Sequence, residues 1–184
     1  RLVRFVQTVV GHLRGGLLQV AVVSMYIVSG LSGSKPADVA AVGTVMRDEL
    51  GARHGAGEGA AVLAASAVMG ETVPPSIAML IVGSITNLSV AALFIGGFIP
   101  AVVMGACLMA LIYVRSRRAG TQRVARVPAR SMLKAGLTAV PPLLMPVMLL
   151  VGILWGVATP TEVAAFAVIY GLVLAMVIYR EMDF

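Results

Sequence analysis

The chain has 184 residues, 59% hydrophobic and 12% charged, with a formal charge of +6. Soluble domains carry about 25% charged residues, so the composition excludes an ordinary soluble domain and indicates an integral membrane protein. One cysteine, Cys107, rules out a disulfide framework and reads as packing.

Residues 3–14 mix apolar and polar positions at helical spacing, which predicts an interfacial helix over 1–14. Residues 16–31 are apolar but shorter than the roughly 20 residues a full crossing needs. The Ser/Gly cluster Ser29–Asp38 follows, then a short apolar limb, Val39–Met46. The expectation is a re-entrant helical hairpin over 15–46; the structural alternative is an extramembrane turn. Arg47–Glu58 is polar and Gly-rich and reads as a surface loop, expected on the cytoplasmic side.

Gly59–Gly83 is apolar but interrupted by Gly70-Glu71-Thr72-Val73-Pro74-Pro75-Ser76. Pro and Gly break helices. Broken backbone at membrane depth is tolerated only where protein buries it or water reaches it, which is how many ion-coupled transporters build binding sites. A plain proline kink is the alternative. Ser84–Ser89 predicts a turn, and Val90–Val114 a long span containing Pro100, so 59–114 reads as a broken transmembrane helix and its successor.

Half of the fourteen Lys and Arg fall in 115–136: Arg115, Arg117, Arg118, Arg123, Arg126, Arg130 and Lys134. This is a topology signal, with non-specific attraction to anionic membrane lipid and no nucleic-acid module. A helix start is expected near Ser131–Leu137. Two further spans are predicted in 137–184: Leu137–Val157, with Pro141, Pro142 and Pro146 in its first turns, and one from the Thr159-Pro160-Thr161-Glu162 start to about Tyr179. If 15–46 is re-entrant, Arg1, Arg4, Arg14, the basic loop and Arg180 share the cytoplasmic side, as the positive-inside rule asks.

The hairpin tip offers hydroxyls, carbonyls and a carboxylate, the oxygen set a hard cation such as sodium takes. Lys35 and Asp38 are three apart and could pair on one helical face. Glu71 is a carboxylate near membrane depth, a functional-site candidate by default; binding a cation, carrying a proton, pairing with Lys35 and sitting at the interface all stay open. Gly30-Leu31-Ser32-Gly33 also fits G-x-S-G, the nucleophile pattern of intramembrane serine proteases, but no His follows His54 to serve as base. His12 and His54 read as solvated, and Gly152 with Gly156 as a close-packing pair.

Five stretches, in order, resemble the large membrane subunit of TRAP transporters (tripartite ATP-independent periplasmic transporters, DctM-like). They are Gly11–Leu17, Ser29–Ser34 through Asp38, Val73–Ile77, Leu93–Pro100 and Thr159–Ala165. The resemblance implies an all-α integral membrane fold, the first of two inverted repeats of an elevator-type carrier. It implies sodium-coupled import of organic acids, such as dicarboxylates, across the bacterial inner membrane by a multi-pass protein, not an enzyme. Partners would be a small membrane subunit (DctQ-like) and a periplasmic solute-binding protein (DctP-like). Carried over residue by residue, sodium would be held by Ser32, Gly33, Ser34, Gly70, Thr72 and Pro74, and substrate by Ser34, Lys35, Glu71, Pro75 and Ser76. Many members carry apolar residues before the Pro-Pro and a small residue at the place of Lys35. Glu71 and Lys35 depart from that pattern and leave a proton-coupled anion carrier of the same superfamily as the alternative. The second hairpin is expected beyond Phe184, and the fragment alone is not expected to transport.

Overall fold

The computed structural model describes residues 2–120 and 127–179. Arg1, Arg123, Arg126 and Arg180 of the sequence argument lie outside them. The described regular elements are all helical: α1 (Leu2–Val10), α2 (Gly16–Ser32), α3 (Lys35–His54), α4 (Ala56–Gly70), α5 (Ile77–Thr86), α6 (Val90–Arg118), α7 (Ala129–Leu154) and α8 (Pro160–Val173), which ends in a π-helical turn, Leu174–Ile178.

Helix α2 is the hub. It packs against α1, α3, α4 and α6 and buries Leu17, Leu18, Val20, Ala21, Val22 and Met25. An all-round apolar helix needs such enclosure. Gln19 fixes its height against α6, donating from Nε2 to the Met109 carbonyl at 2.8 Å. A second cluster joins Phe94 of α6 to Leu149 and Ile153 of α7 and Val163 and Ala167 of α8.

The expected loop at Arg47–Glu58 is helical instead. Helix α3 runs on to His54, and α4 begins at Ala56. Asp38, Val42, Met46 and Leu50 are buried at a spacing of four, so one stripe is drawn onto α2 and α4 while the polar residues between face outward. Gly51 costs only about 0.5–1 kcal/mol inside a helix, less than burying Leu50 contributes, roughly 1.5–3 kcal/mol. The basic segment is also more helical than expected, since α6 continues to Arg118 and α7 starts at Ala129.

Helices α6, α7 and the stretch Pro160–Val177 are long and apolar enough to cross a membrane, whereas Gly16–Ser32, Gly57–Gly70 and Ile77–Thr86 are shorter. Pro141, Pro142 and Pro146 lie inside α7 without ending it. Pro142 has no N–H for the Thr138 carbonyl; that carbonyl accepts from the Tyr179 hydroxyl at 3.4 Å. The Tyr170 hydroxyl reaches the Pro141 carbonyl at 2.8 Å. Tyr170 lies within α8 and Tyr179 just after its π-helical turn, so the proline segment doubles as a docking strip for that helix.

Candidate functional site: a hairpin tip docked on an interrupted helix

The tip is two residues long. Gly33 has φ 59°, the left-handed conformation that ends α2, and its N–H donates to the Ser29 carbonyl at 3.0 Å. Ser34 is extended and begins α3, with Pro36 in the first turn. Within the tip, the Ser34 N–H donates to Ser32 Oγ at 3.0 Å, and the Ser32 hydroxyl donates to Asp38 Oδ1.

The interruption between α4 and α5 covers residues 71–76. The Thr72 and Val73 N–H groups still bond back to the Met69 and Gly70 carbonyls, at 3.2 and 2.9 Å. The Thr72 hydroxyl donates to the Met69 carbonyl at 2.7 Å. Pro74 and Pro75 have no N–H to extend this ladder, and their mutual peptide bond is cis. Ser76 is buried, and α5 starts immediately after it.

Tip and interruption are in contact. A Cβ on Gly70 would lie 2.9 Å from both Cβ and Oγ of Ser29, so only glycine lets α2 approach here. A Cβ on Gly30 would lie 3.5 Å from the Pro74 carbonyl oxygen, and one on Gly33 would lie 3.1 Å from the Ile77 side chain. Helix α6 closes the other side: a Cβ on Gly97 would come within 2.9 Å of the Thr72 carbonyl oxygen. Lys35 and Glu71 form an ion pair across the junction, with side chains 43% and 29% exposed.

Of the sequence candidates, Gly33, Gly70 and Pro74 thus meet at the contact, and Lys35 meets Glu71. Ser32 and Ser34 bond each other at the tip, Thr72 turns its carbonyl toward α6, and Pro75 and Ser76 complete the interruption. The Lys35–Asp38 pairing left open by spacing does not form. Asp38 is instead fully buried, with Oδ1 on Ser32 and Oδ2 without a hydrogen-bond partner; Ser76 Oγ is likewise buried and unpartnered. Ser29 and Asp38 bound the cluster singled out in the sequence, where Asp38 supplies its carboxylate, but neither was among the residues assigned to sodium or substrate. The signal for Asp38 was present, because it begins the buried spacing-of-four stripe of α3.

The G-x-S-G reading finds no base. His54 lies at the opposite end of α3, roughly 30 Å from Lys35 by helix length, beside Glu58 at 3.9 Å. Among the described residues no three His, Cys, Asp or Glu side chains converge on a metal position. What remains is backbone and hydroxyl oxygen, the buried Asp38 carboxylate and one ion pair, held between helices, with three candidate spans among the described residues. That describes an all-helical protein with helices long and apolar enough to cross a membrane.

Comparison with known proteins gives the family. The model of "Tripartite ATP-independent periplasmic transporter, DctM component" matches residues 1–184, and the chain belongs to this family of transporter subunits, which are not enzymes. It is 38% identical to the C4-dicarboxylate TRAP transporter large permease protein DctM of Pseudomonas aeruginosa, over 99% of this chain and 43% of that protein. It is 34% identical to the sialic acid TRAP transporter permease protein SiaT of Haemophilus influenzae, over 99% of this chain and 30% of that protein. The 2,3-diketo-L-gulonate TRAP transporter large permease protein YiaN of Escherichia coli is also 34% identical, over 100% of this chain and 44% of that protein. The chain therefore spans less than half the length of these relatives.

Proposed function

We propose that this chain is the first-repeat portion of a permease that imports organic acids across the bacterial inner membrane by sodium-coupled, elevator-type movement. The hairpin would be re-entrant, a DctP-like binding protein would deliver the substrate, and a DctQ-like subunit would complete the complex. The observation that carries the reading is the docking of the Ser29–Ser34 tip on the Gly70–Ser76 interruption, two segments rich in oxygen and poor in side-chain bulk.

Sodium is assigned to hydroxyl and carbonyl oxygens of Ser32, Gly33, Ser34, Gly70, Thr72 and Pro74. The buried, unpartnered oxygens of Asp38 and Ser76 support a cation-seeking environment, because such atoms cost free energy unless something satisfies them. The substrate is assigned to the neighbouring Ser34, Lys35, Glu71, Pro75 and Ser76. In this scheme sodium orders the tip against the interruption, the ordered site accepts the anion, and the loaded hairpin moves as a unit. Glu71 is engaged by Lys35, so a proton-carrying role would first have to open that pair.

Thermal unfolding of the full-length permease, in sodium against potassium at equal ionic strength, tests the coupling ion. A ligand of the folded state raises the melting temperature by mass action. Sodium is expected to raise it, and Ser34→Ala to remove the rise. Identical curves in the two salts would sink the sodium assignment.

A further inference from the structure

We propose that the junction of α1 and α7 is a binding site for the phosphate of an anionic phospholipid. Arg4 of α1 and Ser131, Lys134, Ala135 and Thr138 of α7 line a cavity of about 350 Å³. The four α7 residues recur at intervals of three, one and three, so they form a single face of the helix. The contact is braced nearby: a Cβ on Gly136 would lie 3.4 Å from the Phe5 ring.

The electrostatics of this junction are unbalanced. The first turn of α7 contains Arg130 and no acidic residue, and Pro128 supplies no side-chain cap. A helix start carries positive partial charge, here with the Ser131 and Met132 N–H groups donating to the Pro128 carbonyl at 2.9 and 3.2 Å. Adding Arg4, Arg130 and Lys134 concentrates positive potential where a helix favours an anion. Two other basic residues do meet carboxylates: Lys35, also at a helix start, meets Glu71, and Arg115 meets Glu58 at 3.2 Å. Among the described residues no carboxylate pairs with Arg4 or Lys134. Ser131 adds a hydroxyl donor, and the Thr138 hydroxyl is held on the Lys134 carbonyl at 2.9 Å.

Depth argues for a lipid rather than a soluble phosphate. Along α7 the exposed side chains change from Arg130 to Leu133 and Leu137, each 66% exposed, over the length of the cavity. The cavity thus lies where a candidate span turns from polar to apolar surface, the level at which basic pockets meet headgroups. The proposal is independent of the coupling ion and the substrate.

The test uses purified full-length permease in detergent, titrated with phosphatidylglycerol, with phosphatidylcholine of the same acyl chains, and with inorganic phosphate. Bound lipid is counted by native mass spectrometry and the melting temperature is followed in parallel. Phosphatidylglycerol should bind and raise the melting temperature in the natural protein, in R4K/K134R and in the charge-matched control R117Q/R118Q, but not in R4Q/K134Q. The single variant R4Q, on the exposed face of α1, should already weaken binding and serves if the double variant does not fold. Unchanged phosphatidylglycerol binding in R4Q and R4Q/K134Q overturns the site. So does an equal loss in R117Q/R118Q, or an equal response to phosphatidylcholine. A response to inorganic phosphate that matches the lipid overturns the lipid assignment.

Discussion

Gly33 and Gly51 show how differently one residue type acts at two positions of the same hairpin. At Gly33 the backbone is left-handed and a Cβ would crowd Ile77 at 3.1 Å. Gly33→Ala should destabilise the full-length protein by about 1–2 kcal/mol in denaturant unfolding, the usual cost of a left-handed non-glycine residue. Gly51 lies inside α3 with nothing within 4 Å of an added Cβ, so Gly51→Ala should stabilise it by about 0.5–1 kcal/mol. The Lys35–Glu71 pair is also a residue-scale device, joining the tip to the interruption. Because both side chains are partly exposed, a double-mutant cycle on Lys35→Met and Glu71→Gln should give a coupling of about 0.2–1 kcal/mol. No measurable coupling would mean that the pair is incidental to docking.

At the scale of elements, the start of α8 was legible and the full length of α3 was not. Thr159, Pro160 and Glu162 form a capping box at the start of α8, with Glu162 accepting from the Thr159 N–H at 2.7 Å. Such an arrangement is local and can be read from four residues. Thr159→Ala should cost about 1 kcal/mol, measured as a lower unfolding midpoint of the full-length protein in mixed micelles. The extension of α3 through Arg47–His54 was masked by polar residues and Gly51. The spacing-of-four stripe Asp38, Val42, Met46 and Leu50 could have revealed it, but only if a charged residue is accepted as part of a buried face. The span over Leu137–Val157 was legible despite its three prolines, but the partner of the Thr138 carbonyl that Pro142 frees was not, because its donor, Tyr179, lies forty-one residues on.

At the scale of the molecule, α2 is enclosed chiefly by α1, α3, α4 and α6, while the candidate spans keep wide apolar faces. Ile99, Leu111, Leu144, Phe166 and Val168 are all exposed. The buried hub is where tip, interruption and α6 meet, and the apolar faces suit lipid.

The sequence by itself determined the membrane class, the two interruptions and the family, because hydropathy, Pro and Gly act through local backbone chemistry and the motifs stand in a fixed order. It also supplied the residues that meet at the junction. Only the tertiary structure decided that Lys35 takes Glu71 rather than Asp38, that Asp38 is buried, and that Ser29 abuts Gly70. Those outcomes depend on which helices face one another. A carboxylate three residues from a lysine on one helix has no advantage over a carboxylate brought opposite it by packing.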